Sequence, residues 1–82
     1  MSDLAKQMLE ALRTLHKERM PHACGGFSAD DMTWQIRRPF TDEGRAMAAI
    51  DELLEAGLVK WVGLDISDDA NCYTLTAEGG LP

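Results

Sequence analysis

The chain has 82 residues, 45% hydrophobic and 27% charged; that length allows one core, and that composition excludes the disordered and membrane-spanning classes. Fourteen acidic against eight basic side chains give a formal charge of -6, so the chain as a whole repels nucleic acid and anionic lipid. Nothing in it approaches the roughly 18 apolar residues of a membrane span, and Met1-Ser2-Asp3-Leu4 lacks the basic and apolar regions of a signal peptide, which sets the expectation of a cytoplasmic protein with no membrane partner.

Leu, Ala and Met dominate the apolar inventory, so helices should outweigh strands. From residue 3 to about 19, Leu4, Met8, Leu12 and Leu15 recur at helical spacing beside Ala5, Leu9 and Ala11, predicting an amphipathic helix. Ser2 is placed to cap it, Lys6 and Glu10 stand four apart, Lys17 and Arg19 suit the negative end of the dipole, and Pro21 closes it. His22-Ala23-Cys24-Gly25-Gly26-Phe27 reads as a loop with one short extended stretch entering Phe27. Ser28 before Ala29-Asp30-Asp31 reads as an N-cap with an acidic first turn, and Phe27 and Met32 stand at the two positions of a hydrophobic staple. This second helix should run through Trp34 and Ile36 to Arg37 or Arg38, where Pro39 stops it.

Thr41 caps a third helix with Asp42 and Glu43 in its first turn and Met47, Ile50, Leu53 and Leu54 as apolar positions. It ends at Ala56, with Gly57 as its terminator. Leu58 to Val62 and Cys72 to Thr76 are strand-like runs, joined into a hairpin by turn formers at residues 67–71. Residues 79–82 read as a loose tail.

Helix, short strand, helix, turn, helix and hairpin is the element order of a winged helix-turn-helix domain. Ile50-Asp51-Glu52-Leu53-Leu54-Glu55-Ala56-Gly57-Leu58-Val59-Lys60-Trp61 resembles the end of the recognition helix and the first wing strand of small bacterial regulators of the MarR and PadR kind. Tyr73-Thr74-Leu75-Thr76-Ala77-Glu78-Gly79 is similar to their second wing strand and its exit. The resemblance implies an α+β winged-helix domain over residues 1–79 with a tail at 80–82: a three-helix bundle with a helix-turn-helix, then a two-stranded wing. It also implies a transcription regulator rather than an enzyme, with the third helix entering the major groove of double-stranded DNA. In those regulators a further helix often follows the second wing strand and builds the dimer; residues 77–82 offer no counterpart, and a homodimer through the first helix stays open.

On a helical wheel Ala46, Met47, Ile50, Leu53, Leu54 and Gly57 share one arc of the third helix, and Arg45, Ala48, Ala49 and Glu52 lie opposite. Arg45 suits a base or phosphate, Ala48 and Ala49 suit thymine methyl groups, and Glu52 and Glu55 carry the wrong sign. The candidate nucleic-acid-binding residues are therefore Arg37, Arg38, Thr41, Arg45, Ala48, Ala49 and Lys60. Residues 1–40 hold six basic and five acidic side chains and residues 41–82 hold two and nine, so the halves carry +1 and -7. The acidic half contains both elements that would face DNA, and its hairpin turn offers Asp65, Asp68 and Asp69 where phosphates need cations. The four cations Arg37, Arg38, Arg45 and Lys60 give a salt slope of about -3.6. The alternative is a protein-interaction module on the same scaffold, its acidic third helix and wing meeting a basic partner, with Trp34 or Trp61 as anchor. Each tryptophan also reads as a core aromatic.

His16, His22, Cys24 and Cys72 are the soft-ligand residues, but only His22 and Cys24 are close in sequence and no Cys-x-x-Cys fixes two donors on one turn. No metal or cofactor is expected, and the cysteines read as reduced structural thiols. A Cys24 nucleophile with His22 would need an orienting group and an oxyanion pocket. The acid pairs Asp30-Asp31 and Asp42-Glu43 suit helix starts, and Asp68-Asp69 suits a turn. Gly25-Gly26 lacks the context of a phosphate cradle.

Overall fold

The computed structural model describes residues 1–36, 43–66 and 69–80. Among these, α1 (Asp3–Glu18), β1 (Phe27–Ser28), α2 (Ala29–Gln35), α3 (Glu43–Glu55), β2 (Val59–Asp65) and β3 (Ala70–Leu75) follow in the predicted order. They form an α+β arrangement of three helices and a three-stranded antiparallel sheet, ordered β1-β3-β2. The expected cap at Thr41 and the stop at Pro39 lie outside the described residues.

Local chemistry sets the helix ends. The Ser2 hydroxyl accepts the Ala5 N–H at 3.2 Å at the start of α1. The predicted Lys6 and Glu10 pairing gives way to an ion pair between Glu10 and Arg13, one turn further on. At α2 the Ser28 hydroxyl accepts the Asp31 N–H at 3.1 Å and the Asp31 carboxylate accepts the Ser28 N–H at 2.9 Å, a reciprocal capping box. Phe27 and Met32 are both buried beside it, as a staple requires. The end of α3 is a Schellman turn: Gly57 adopts a φ of 74°, Leu58 N–H donates to the Leu53 carbonyl, and Gly57 N–H donates to that of Leu54.

The core joins Met8, Leu12 and Leu15 of α1 to Phe27 and Met32, to Ile50 and Leu53 of α3, and to Val59, Tyr73 and Leu75 of the sheet. Burying each such large side chain contributes roughly 1.5–3 kcal/mol, which makes this layer the main source of stability. β3 is the central strand, and Cys72 to Leu75 are buried along it. The hairpin strands extend further toward the turn than expected, to Asp65 and from Ala70, and leave out Leu58 and Thr76 at the outer end. The register slips once, Trp61 pairing with Tyr73 while Gly63 pairs with Cys72, which leaves Val62 as the extra residue of a bulge. Gly63 takes a φ of 121° there, a conformation that favours glycine.

Gly79 is no part of a loose tail. It is buried, its carbonyl accepts Arg13 Nε at 2.8 Å, and a Cβ there would fall on the Leu58 carbonyl. Leu81 and Pro82 lie outside the described residues. Among the described residues no helix is long and apolar enough to cross a membrane.

Candidate functional site

The sequence candidates do not gather into one basic surface. Arg37, Arg38 and Thr41 lie outside the described residues. Arg45 and Ala48 are exposed on α3 and line a shallow cleft with Ser2, Asp3, Leu4 and Glu52. Glu52 is fixed in that cleft, because its carboxylate accepts the Ser2 N–H at 2.7 Å and the Ser2 hydroxyl at 2.6 Å. Those two bonds hold its carboxyl below the ordinary value, so it stays charged beside Arg45. Lys60 is exposed on β2 opposite Thr74, and its neighbour Trp61 points to the other face of the sheet.

Ala49 is a correction. It is 1% exposed, sealed in the core, and can touch no base. The buried stripe of α3 is Ala46, Ala49, Ile50 and Leu53, at i, i+3, i+4 and i+7. Met47 and Leu54, placed on the apolar arc by sequence, are only half-buried. The true stripe is thus rotated toward Ala49, where small side chains suit the close approach of α1.

The tryptophans are a second correction to the core reading. Trp34 is 64% exposed and Trp61 is 57% exposed. Trp61 stands opposite Tyr73 in register, and its indole N–H donates to the Asn71 side chain at 3.0 Å. Burial, and then the Asp51 carboxylate of α3, raise the Tyr73 hydroxyl. The bulge at Val62 decides what joins Trp61. Without it Leu64 would face the opposite way; with it, Leu64 pairs with Asn71 and shares the Trp61 face. Leu64 is 53% exposed, and Ile66, two residues on, 96%. Trp61 and Leu64 therefore share one exposed apolar face of the outer strand, and Ile66 follows just beyond its end. A cleft of about 440 Å³ opens on the same side, lined by Asp30, Met47, Asp69, Asn71 and Tyr73.

The same slip sends Asp65 to the other face, where it meets the loop between α1 and α2. That loop is folded tightly, His22 N–H donating to the Gly26 carbonyl at 3.0 Å and Gly25 N–H to that of His22 at 2.8 Å. A Cβ at Gly26 would fall on the Tyr73 carbonyl, so the loop lies flat on β3. His22 Nε2 is 2.7 Å from the Asp31 carboxylate, and Nδ1 is 3.4 Å from that of the buried Asp65. Cys24, half-buried, interacts with the buried Cys72 side chain. Burial pushes the Cys72 thiol up to about 12, aided by Cys24 and then by the Asp65 and Asp31 carboxylates. A thiol so protonated is a poor nucleophile. Sequence separation hid this cluster, since Asp65 and Cys72 come from strands about 40 to 50 residues beyond His22 and Cys24. Among the described residues no group of three His, Cys, Asp or Glu side chains is arranged to hold a metal ion.

No family model, no curated protein and no solved structure matches the chain.

Proposed function

We propose that the chain is a winged-helix interaction module, an accessory of regulation rather than an enzyme, that docks a basic protein partner through β2 and the adjoining side of α3. The observation that carries this reading is the exposed pair Trp61 and Leu64 on one face of an outer strand, with exposed Ile66 just beyond its end. A solvated tryptophan flanked by aliphatic side chains is the composition of an interface anchor, and the outer edge of β2 has no strand neighbour among the described residues. The surroundings select the sign of the partner. Asp51 and Glu55 are exposed on α3 and Asp69 at the hairpin end. Residues 41–82 carry two basic against nine acidic side chains, so a second copy would meet repulsion and a Lys- or Arg-rich surface would meet attraction.

A DNA-binding regulator is the second reading, favoured by the helix order and by Arg45 and Ala48 standing exposed together near the start of α3. Opposing it, Glu52 is locked beside Arg45, and Lys60 lies on the sheet face away from Trp61. Affinity capture from the source cell with wild-type and Trp61→Asp baits separates the two. A basic protein retained by wild type at low salt, released at high salt and absent from the variant supports docking; identical captures overturn it.

A further inference from the structure

The chain has two cysteines, 48 positions apart in sequence, and the fold brings them together. Three independent features fix the meeting. Ser28 pairs with Cys72 in the β1 and β3 register, so the segment that follows Cys24 is already hydrogen-bonded to the Cys72 strand. Gly26 lies directly on the Tyr73 carbonyl and against Val62. His22, at the other end of the loop, is held between Asp31 of α2 and Asp65 of β2. Cys24 is held between these anchors, four residues before the Ser28 that pairs with Cys72 and two before the Gly26 that lies on Tyr73, so its thiol is brought to the Cys72 strand, and both are free thiols.

We propose that Cys24 and Cys72 form a reversible disulfide, an oxidative modification site that staples the α1–α2 loop to the central strand when the protein meets a hydroperoxide. The order of events follows from exposure. Cys24 is half-buried and reachable, whereas Cys72 is sealed. The Cys24 thiolate attacks one peroxide oxygen; a sulfur–oxygen bond forms, the oxygen–oxygen bond breaks, and the departing hydroxide leaves as water with the thiol proton. Cys24 is then a sulfenic acid. The Cys72 sulfur attacks the Cys24 sulfur; the sulfur–sulfur bond forms, the sulfur–oxygen bond breaks, and the second hydroxide takes the Cys72 proton. Two thiols and one hydrogen peroxide molecule thus give one disulfide and two waters, an organic hydroperoxide giving its alcohol in place of the first water, sulfur being oxidised and peroxide oxygen reduced. A dithiol reductant reverses the bond by exchange.

The sealed position of Cys72 keeps the peroxide from it and makes Cys24 the site of first attack, and Cys72 reacts only once the Cys24 sulfur has become an electrophile beside it. The bond would tie the loop to the strand between β1 and β2, and so stiffen the hairpin whatever that hairpin binds.

The test uses the full chain with hydrogen peroxide as oxidant and a thiol alkylator as probe, read by intact mass and peptide mapping. Wild type should stay monomeric, lose two hydrogens, refuse the alkylator even when denatured, and regain two alkylation sites after dithiothreitol. Cys24→Ser, at the half-exposed position, should keep its fold by circular dichroism and resist oxidation at Cys72. Cys72→Ala should accumulate a Cys24 sulfenic acid that dimedone traps. A wild-type monomer whose oxidation stops at Cys24 as sulfenic or sulfinic acid, or which links only between molecules, overturns the proposal.

Discussion

Asp31 answers to three groups at once: it accepts the Ser28 N–H, its own N–H binds the Ser28 hydroxyl, and its carboxylate holds the His22 ring. Burial by itself would raise its carboxyl; the bonds from Ser28 and His22 outweigh burial and hold it below its unfolded value of 3.8. A carboxyl depressed in the folded state stabilises above its unfolded pKa, and that contribution is lost as pH falls through the folded one. Asp31→Asn should therefore cost about 1 kcal/mol at neutral pH, and the gap to wild type in thermal melts should close as pH drops below 3.8. A gap that stays constant with pH would mean the charge is irrelevant. Glycines 25 and 26 give a paired case. At Gly26 an added methyl strikes the Tyr73 backbone, and at Gly25 it meets open space but a φ of 92°. Gly26→Ala should lose about 2–4 kcal/mol by overpacking, and Gly25→Ala about 1–2 kcal/mol from left-handed backbone, both by denaturant unfolding. Equal losses would mean that the loop does not press on β3.

At the scale of elements, whatever is decided within one turn of chain was legible in the sequence. Ser2, Ser28 and Gly57 announce their caps because capping bonds reach three or four residues. The short strand at Phe27 was legible from its glycine-rich approach, although its partner, β3, lies about 45 residues on. What depends on distant neighbours was not. Ala49 turned inward because packing, rather than the hydrophobicity of its side chain, sets the buried stripe of α3. The bulge at Val62 leaves no strong local mark, yet it moves Leu64 to the Trp61 face and Asp65 toward His22. Trp61 bears directly on the docking reading. Trp61→Ala removes a half-exposed ring and one bond to Asn71, so its stability loss should stay under about 1.5 kcal/mol, while capture of the basic partner should fall at least tenfold. A large unfolding penalty with unchanged capture would return Trp61 to a purely structural role.

Across the whole molecule, charge and apolar exposure coincide. Asp51 and Glu55 on α3 and Asp69 at the hairpin end are exposed, as are Trp61, Leu64 and Ile66, and Arg45 lines a separate cleft with Glu52, which is tied to Ser2. The central claim is that this face receives a basic protein segment and not a duplex. The direct measurement is a proton–nitrogen chemical-shift titration of the labelled chain with two probes in parallel: a random-sequence duplex, and a synthetic extended peptide alternating Lys with Val, both at low salt. The docking account predicts saturable, salt-sensitive shifts of the Trp61 indole N–H and of the Leu64 and Ile66 amides with the peptide, and unmoved α3 amides with DNA. Salt-sensitive shifts at Arg45 and Ala48 with the duplex, and none at Trp61 with the peptide, would contradict it.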